Sequence, residues 1–397
     1  MTVVAPGGAA GLDRRDRLAA QVHAAEALLT ARSGAPVRLT DLEELGGSGR
    51  TAVVRARVSE NGFSLPRSLV IKTLGPDEPD EPFRRELASY KFANTLSSNS
   101  RPGPQLIASD PQTRVLVLSD LGVGRSMLSV LAEGDVAAIT QSISAWGQAL
   151  GRMHAATVGG ESDYGVLARH SGQTGPTCWQ ILASVADTEE LLAGRLGMAL
   201  PDAVADMLRS ARALFDEGDH RAFTPADVGP ENILLTADGV QFLDYEWGGF
   251  RDATLDIAYA VVTFPRHLGG RAADRSDAGG ESAREDTVTR WEIAIVDAWR
   301  SEVEAIWPVL SHDRDLNRKV LTARLLWVWM STAWLLEEAS DASGRAASHT
   351  MDLFTTDPRV IVARWRALAA AAVRAGLDDV GVFAEAVAGQ LDSSWLR

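Results

Sequence analysis

The sequence predicts an α+β fold with a small, β-rich N-terminal lobe and a larger, mostly helical C-terminal lobe. Residues 37–121 contain alternating and β-branched segments that are typical of strands. From about Trp291 the pattern is helical, and this last third holds eight of the eleven tryptophans. With 397 residues, 46% of them hydrophobic, the chain exceeds what one core usually organises, so two lobes or more are expected.

An amphipathic helix is predicted within residues 1–36, before the N-terminal lobe of residues 37–121. Its apolar residues recur on one side of a helix: Leu18, Val22, Ala25, Leu28 and Leu29. A strand, a tight loop and a second strand follow from Leu42.

The Gly-rich turn between these strands is a candidate phosphate-binding element. Gly46, Gly47 and Gly49 carry no side chain, so backbone N–H groups can approach phosphates there. Ser48 and Arg50 offer direct contacts. Gly-rich hairpins are also common for steric reasons, and this one lacks a Walker lysine. Its position before a lysine-bearing strand supports the assignment.

A single lysine, Lys72, interrupts an apolar strand near its end. A lysine in such a strand must reach water or find an anion. Glu86 lies beside the apolar face of the helix that is predicted next. A lysine that snorkels at a strand edge and a solvent-facing glutamate are the alternative interpretation.

Residues 222–250 carry the most specific pattern. Asp227 stands five positions before Asn232, and an apolar strand, a turn at 236–239 and a second strand ending at Asp244 follow. A hairpin returns its second strand beside its first, so Asp244 is expected near Asn232. Phosphoryl transfer needs a carboxylate for the attacking hydroxyl and hard oxygen ligands for Mg²⁺. Any one of these residues alone could instead cap a turn or end a strand.

This pattern resembles the aminoglycoside phosphotransferase and choline kinase family. The catalytic loop of that family reads His-Gly-Asp, four residues and Asn, followed later by Asp-Trp-Glu or similar. The chain departs from it with Pro225 and Ala226 in place of His and Gly. The resemblance implies a bilobal protein-kinase-like fold in which Asp227 is the catalytic residue and Asn232 and Asp244 hold the metal.

The same resemblance implies the residues that bind a nucleotide. Lys72 would bind the α and β phosphates while Glu86 fixes its rotamer. The hinge would lie near residues 117–122, where backbone groups of Leu118 and Asp120 would meet the nucleobase. The implied cofactors are ATP or GTP and Mg²⁺, and composition does not choose between the two bases.

The C-terminal lobe, residues 123–397, would carry the acceptor site by the same resemblance. Apolar spacing predicts a helix over Val136–His154, in which His154 is interpreted as a packed or capping residue. By the same resemblance, Asp256 is interpreted as structural. Residues 266–286 are rich in Gly, Ala, Ser and charge, which predicts a mobile loop that is either a lid or an inert insertion.

The tryptophans of the last third are interpreted as helix-packing residues, with a substrate-stacking cleft as the alternative for Trp327, Trp329 and Trp334. The apolar stretch Leu325–Leu336 is short for a membrane span and is interpreted as a buried helix.

Composition limits the partners. A net charge of −14 argues against a nucleic acid or an anionic membrane, since both require a basic face. The single cysteine, Cys178, excludes an internal disulfide framework and fits a reducing compartment. We therefore expect a cytoplasmic monomer or homodimer that binds a small-molecule or peptide hydroxyl acceptor.

Three functions are compatible with the sequence. The leading one is phosphoryl transfer from a nucleotide to a small molecule such as an aminoglycoside-like compound, an amino alcohol, a sugar or a natural product. The second is a Ser/Thr kinase acting on a peptide in natural-product biosynthesis. The third is a non-catalytic nucleotide-binding pseudokinase, which the Pro225-Ala226 departure keeps open and the retained Lys72, Asp227 and Asn232 argue against.

Overall fold

The computed structural model describes residues 8–46, 51–60, 65–75, 77–173, 188–268, 280–338 and 352–395. The chain forms two compact units. Unit 1 comprises Met1–Thr95, Gly103–Gly122 and Val166–Thr174; unit 2 comprises Leu96–Pro102, Val123–Gly165 and Gly175–Arg397. One boundary between the two units lies after Gly122, at the end of the predicted hinge. The assignment of residues 96–102 to unit 2 and of residues 166–174 to unit 1 was not predicted.

Unit 1 is a small antiparallel sheet with two helices. The elements, in chain order, are α1 Gly8–Ser33, β1 Arg38–Gly46, β2 Thr51–Glu60, β3 Ser68–Leu74, α2 Asp80–Ala93, β4 Leu106–Asp110 and β5 Val115–Ser119. The strand order is β1-β2-β3-β5-β4, and each neighbouring pair is antiparallel. β3 therefore lies inside the sheet, between β2 and β5.

Helix α1 covers part of this sheet. Val22, Ala25 and Leu29 are buried in one cluster with Leu69 of β3 and Val117 of β5. The predicted amphipathic helix is confirmed, because these residues lie on one face at intervals of three and four.

Unit 2 is mostly helical. Its elements are β6 Arg125–Ser126, α3 Met127–Glu133, α4 Val136–Thr157, α5 Glu161–His170, α6 Thr188–Leu191, α7 Asp202–Ala213, β7 Arg221–Thr224, β8 Ile233–Thr236, β9 Gly239–Phe242, β10 Gly249–Asp252, α8 Thr254–Thr263, α9 Gly280–Val303, α10 Asp313–Glu338, α11 Pro358–Arg374 and α12 Asp378–Trp395. Of these, α5 is divided between the units, with its residues from Val166 onward assigned to unit 1. Short 3₁₀ or π turns are Ser98–Ser100, Leu192–Leu196, Pro230–Asn232, Phe264–His267 and Pro308–Ser311. The predicted α+β class, with a small sheet region first and a helical part after it, is confirmed.

Two small antiparallel sheets of unit 2 frame the segment that sequence analysis singled out. β7 pairs with β10, and β8 lies between β6 and β9. The predicted hairpin is present as β8 and β9, with Gly239 at φ +105° in its turn. Its second strand ends at Phe242 rather than at Asp244, because Asp244 has a left-handed backbone with φ +56° that cannot continue a strand.

The helices of unit 2 pack around buried aromatic side chains. α4 begins at an Asp135 cap that accepts from the amides of Ala137 and Ala138, and its predicted apolar face is buried. Trp327 and Trp329 are fully buried in α10, so packing is confirmed for them and a stacking cleft is not. Trp334 is half-buried and packs on Phe354 at a ring distance of 5.5 Å.

Helix α10 contains the apolar stretch Leu325–Leu336, which is buried as predicted. Across the described ranges, none of the helices combines the length and apolarity that crossing a membrane requires.

The predicted loop over residues 266–286 is wrong at both ends. His267 ends a 3₁₀ turn, and α9 already begins at Gly280. Residues 269–279 lie outside the described residues, so mobility there stays a prediction. Low apolar content predicts a loop here, but the residues after Gly280 include Glu, Ala and Arg, which favour helix without requiring burial.

Candidate functional site

The loop that carries Asp227 leaves β7 after Thr224 and enters β8 at Ile233. The amide of Asp227 donates to the carbonyl of Pro225 at 3.0 Å across Ala226, which has φ +74°. This is the rare γ-turn with positive φ at its centre, a strained conformation for a residue with a Cβ. The Thr224 hydroxyl accepts from the amide of Ala226 at 2.9 Å and so ties the turn to the end of β7.

The carboxylate of Asp227 is buried, with 4% of the residue exposed, and both of its oxygens are hydrogen-bonded. Oδ1 accepts from the hydroxyl of Tyr259 in α8 at 2.8 Å. Oδ2 accepts from Nδ2 of Asn232 at 3.0 Å, and the same Nδ2 lies 3.2 Å from the Asp227 carbonyl oxygen. The predicted proximity of Asp227 and Asn232 is therefore present as a direct side-chain contact.

The hairpin brings Asp244 back to Asn232. The amide of Leu243 donates to the carbonyl of Asn232 at 2.8 Å, which places Asp244 one residue beyond a direct backbone contact with Asn232. Oδ1 of Asp244 accepts from the amide of Glu246 at 3.3 Å. The expected gathering of two carboxylates and one amide is thus produced by the hairpin, as the sequence predicted.

Negative groups surround Asp227 and act on its ionisation. Burial raises the pKa of the Asp227 carboxyl well above its usual range, and the charges of Glu231, Asp244 and Glu246 raise it further. The hydrogen bond from Tyr259 opposes this rise. A carboxyl held in this way accepts a proton more readily than an exposed aspartate does.

Sequence analysis missed three residues of this site. Glu231 precedes Asn232, and burial together with the charge of Asp352 raises its pKa to about 7. Oδ1 of Asp352 accepts from His267 at 2.8 Å. Tyr259 holds Asp227. The acid beside Asn232 could have been noticed in the sequence, whereas Tyr259 and Asp352 lie far from the loop along the chain and carry no local signal.

The orientation of the Asn232 amide bears on metal binding. Because Nδ2 faces Asp227, Oδ1 is the atom of this amide that can serve as a ligand. One amide oxygen and the Asp244 carboxylate are hard ligands that suit Mg²⁺, which in nucleotide sites is held by one or two protein groups together with substrate phosphates. Within the described ranges, no cluster of three or more His, Cys, Asp or Glu side chains is arranged to hold a metal.

In unit 1, Lys72 and Glu86 form a buried ion pair. Nζ of Lys72 lies 2.8 Å from Oε1 of Glu86, and their side chains are 9% and 4% exposed. Lys72 is in the interior strand β3, opposite Val53 and Leu116. The alternative of a snorkelling lysine and a solvent-facing glutamate is thereby wrong, because both side chains are buried.

The other residues that are predicted to bind a nucleotide are only partly described. Gly47, Ser48, Gly49 and Arg50 lie outside the described residues, so their contact with phosphates stays a prediction.

The two hinge residues differ in their surroundings. Leu118 pairs on both sides, with Val70 and Leu106, and Asp120 follows the end of β5. Oδ2 of Asp120 accepts from Nε of Arg55 at 3.0 Å, which gives its side chain a structural partner. The contact of Leu118 and Asp120 with a nucleobase stays a prediction.

His154 and Asp256 are structural. The indole Nε1 of Trp299 donates to Nδ1 of His154 at 2.9 Å, so the imidazole proton is on Nε2, which donates to Oδ2 of Asp256 at 3.1 Å. All three residues are buried. The interpretation of His154 as a packed residue is confirmed.

A family model identifies the chain. Residues 42–291 match the model of the phosphotransferase enzyme family, abbreviated APH, and this range spans more than half of the chain. The protein belongs to this family. No curated protein matches it significantly.

Several solved kinase structures are similar to this chain. A choline/ethanolamine kinase family protein from Mesorhizobium loti is 15% identical, covers 87% of this chain and 92% of its own, and has a TM-score of 0.46. The GDP complex of aminoglycoside 2'-phosphotransferase-IIIa is 14% identical, covers 89% and 99%, and has a TM-score of 0.45. Choline kinase LicA from Streptococcus pneumoniae is 12% identical, covers 94% and 99%, and has a TM-score of 0.43.

Proposed function

We propose that this phosphotransferase moves the γ-phosphate of ATP or GTP to a hydroxyl group of a small molecule, with Mg²⁺ as cofactor. Asp227 would orient the acceptor hydroxyl and take its proton. Asn232 and Asp244 would hold the metal. Lys72, fixed by Glu86, would bind nucleotide phosphates.

The contact between Asp227 and Asn232 carries this proposal. One side chain of the pair presents a buried, proton-accepting carboxylate, and the other presents an amide oxygen whose direction is fixed by the 3.0 Å bond between them. Phosphoryl transfer depends mainly on positioning and on electrostatic stabilisation, so a rigid pair of this kind suits the reaction. The hairpin then supplies the carboxylate of Asp244 next to the amide.

The Lys72–Glu86 pair supports nucleotide binding in unit 1. A buried ammonium costs several kcal/mol to desolvate, and its ion pair with the Glu86 carboxylate keeps it charged and in one rotamer. An anion such as a phosphate is the ligand that such a fixed cation attracts.

The test is a screen of hydroxyl acceptors with γ-labelled ATP and GTP, with and without Mg²⁺. We expect Mg²⁺-dependent label transfer to at least one amino alcohol, aminoglycoside, sugar or related natural product, and none with Asp227→Ala. Asp238→Asn, which removes a charge from the exposed turn between β8 and β9, is the matched control and should retain transfer. Absence of transfer by the wild-type protein to any acceptor, despite nucleotide binding, would contradict the proposal.

A further inference from the structure

Tyr259 is buried in α8 and makes its side-chain hydrogen bond to the reactive carboxylate. Its hydroxyl lies 2.8 Å from Oδ1 of Asp227, and the residue is 0% exposed. A buried phenol requires a partner, and most partners in proteins are neutral carbonyl oxygens. A bond to a carboxylate is charge-assisted and about twice as strong as a neutral one.

The Tyr259 ring is itself fixed. It packs edge-on against Trp327, with ring centroids 5.5 Å apart and planes at 86°. The Trp327 indole donates to the carbonyl of Leu255 in the first turn of α8 at 2.8 Å, which ties α10 to the helix that bears Tyr259. Burial and the charge of Asp227 raise the pKa of the Tyr259 phenol, so it stays a donor. The hydroxyl is therefore a rigid anchor.

Two anchors determine the orientation of the Asp227 carboxylate. Among the described residues, the side chains that hydrogen-bond to it are Tyr259 at Oδ1 and Asn232 at Oδ2. One bond leaves the carboxylate free to rotate about its Cβ–Cγ axis, whereas two bonds from opposite sides fix the plane. The loop backbone alone does not do this, since Pro225 has no side-chain donor and Ala226 has no polar side chain.

We propose that Tyr259 is a positioning residue that holds the Asp227 carboxylate in the orientation required for phosphoryl transfer. This inference rests on the proposed function for its kinetic consequence. A reacting group that turns out of alignment by a small distance can lose a large part of its rate, because the freedom gained must be lost again at the transition state.

The decisive variant is Tyr259→Phe, which keeps the ring and its contact with Trp327 and removes only the hydroxyl. Tyr164→Phe is the matched control. Tyr164 is also buried, and its hydroxyl donates to the carbonyl of Gly248 at 3.0 Å rather than to Asp227. Circular dichroism and thermal melting of both variants report on folding.

Single-turnover transfer to an acceptor found in the screen, together with nucleotide affinity, gives the kinetic result. We expect Tyr259→Phe to lower the transfer rate by about 10- to 100-fold with nucleotide affinity unchanged, and Tyr164→Phe to retain the wild-type rate. In the Asp227→Asn background, Tyr259→Phe should cause little further loss, because it acts through Asp227. Equal fractional losses in both backgrounds, or no loss in either, would overturn the proposal.

Crystal structures of the wild-type protein and of Tyr259→Phe give a result that does not depend on activity. We expect the Asp227 carboxylate to leave its orientation toward Asn232 in the variant, and to keep it in Tyr164→Phe. An unchanged Asp227 orientation in Tyr259→Phe would overturn the positioning role even if the kinase function holds. A wild-type protein that phosphorylates no acceptor would instead refute the proposed function, while the structures still decide whether Tyr259 positions Asp227.

Discussion

Asp227→Asn is expected to separate chemistry from folding. The new amide has the shape of the carboxylate but cannot take a proton from a hydroxyl. Loss of a general base or orienting group typically costs a factor on the order of 10² to 10⁴ in kcat. That factor corresponds to about 3 to 5 kcal/mol of transition-state stabilisation.

The contacts of Asp227 indicate that Asp227→Asn should have only a small effect on stability and on nucleotide affinity. Tyr259 can still donate to the remaining oxygen of the amide, whereas the Nδ2 of Asn232 would face a second donor. One hydrogen bond is therefore lost, at about 1 kcal/mol. Nucleotide affinity should stay close to that of the wild type.

The stability of Asp227→Asn relative to wild type should also depend on pH. Burial and the charge of Glu231 hold the pKa of Asp227 above its value in the unfolded chain. Ionisation is thus harder in the folded state, so this group favours folding most below its unfolded pKa, and that contribution is lost as pH rises toward the folded pKa. A neutral amide removes this loss, so the stability of the variant relative to wild type should increase as pH rises above the unfolded pKa of about 4.

Two measurements check this prediction. Single-turnover transfer gives the rate, and denaturant unfolding in buffer free of Mg²⁺ and nucleotide gives the free energy of unfolding at each pH. Asp238→Asn, at an exposed position, is the control for both and should behave as wild type. Wild-type turnover in Asp227→Asn would remove Asp227 from the mechanism, and a relative stability that falls with rising pH would refute the assignment of a raised pKa.

Three further changes test the remaining assignments. Asp244→Ala should weaken nucleotide binding at least tenfold in the presence of Mg²⁺ and leave Mg²⁺-free binding nearly unchanged, as a hard anionic ligand would, and equal affinities by calorimetry would reject the metal role. Glu86→Gln should destabilise unit 1 by about 3 to 5 kcal/mol, because the buried charge of Lys72 then lacks this carboxylate. The double variant Glu86→Gln with Lys72→Met should be less destabilised than Glu86→Gln alone. Free energies of unfolding from denaturant titration that show additive losses would argue against the ion pair. Pro225→Gly should lower kcat about 3- to 10-fold with a smaller effect on nucleotide affinity, because proline fixes φ in the turn before Asp227 and the freedom that glycine adds must be lost again at the transition state. Unchanged single-turnover rates would contradict the idea that Pro225 stiffens this turn.

Local patterns in the sequence were sufficient to predict much of the site. Over about twenty residues, turn residues and the alternation of strands can be recognised in the sequence. This range includes Asp227, Asn232, the hairpin and the return of Asp244. The apolar faces of α1, α2 and α4 could be predicted for the same reason. The predicted loop over residues 266–286 is wrong at its ends, because a polar composition does not distinguish a loop from an exposed helix, and helix propensity does not require burial.

The sequence by itself determined the order of the functional residues, the α+β class and the family resemblance, since these depend on residue types at fixed spacings. Only the tertiary structure decided that Lys72 pairs with a buried Glu86, that Glu231 lies close enough to Asp352 for its pKa to rise, and that Tyr259 binds Asp227. Each of these contacts joins residues from different elements, up to 121 positions apart, as Glu231 and Asp352 are. Such contacts are set by how helices and strands pack, and no local period encodes that packing.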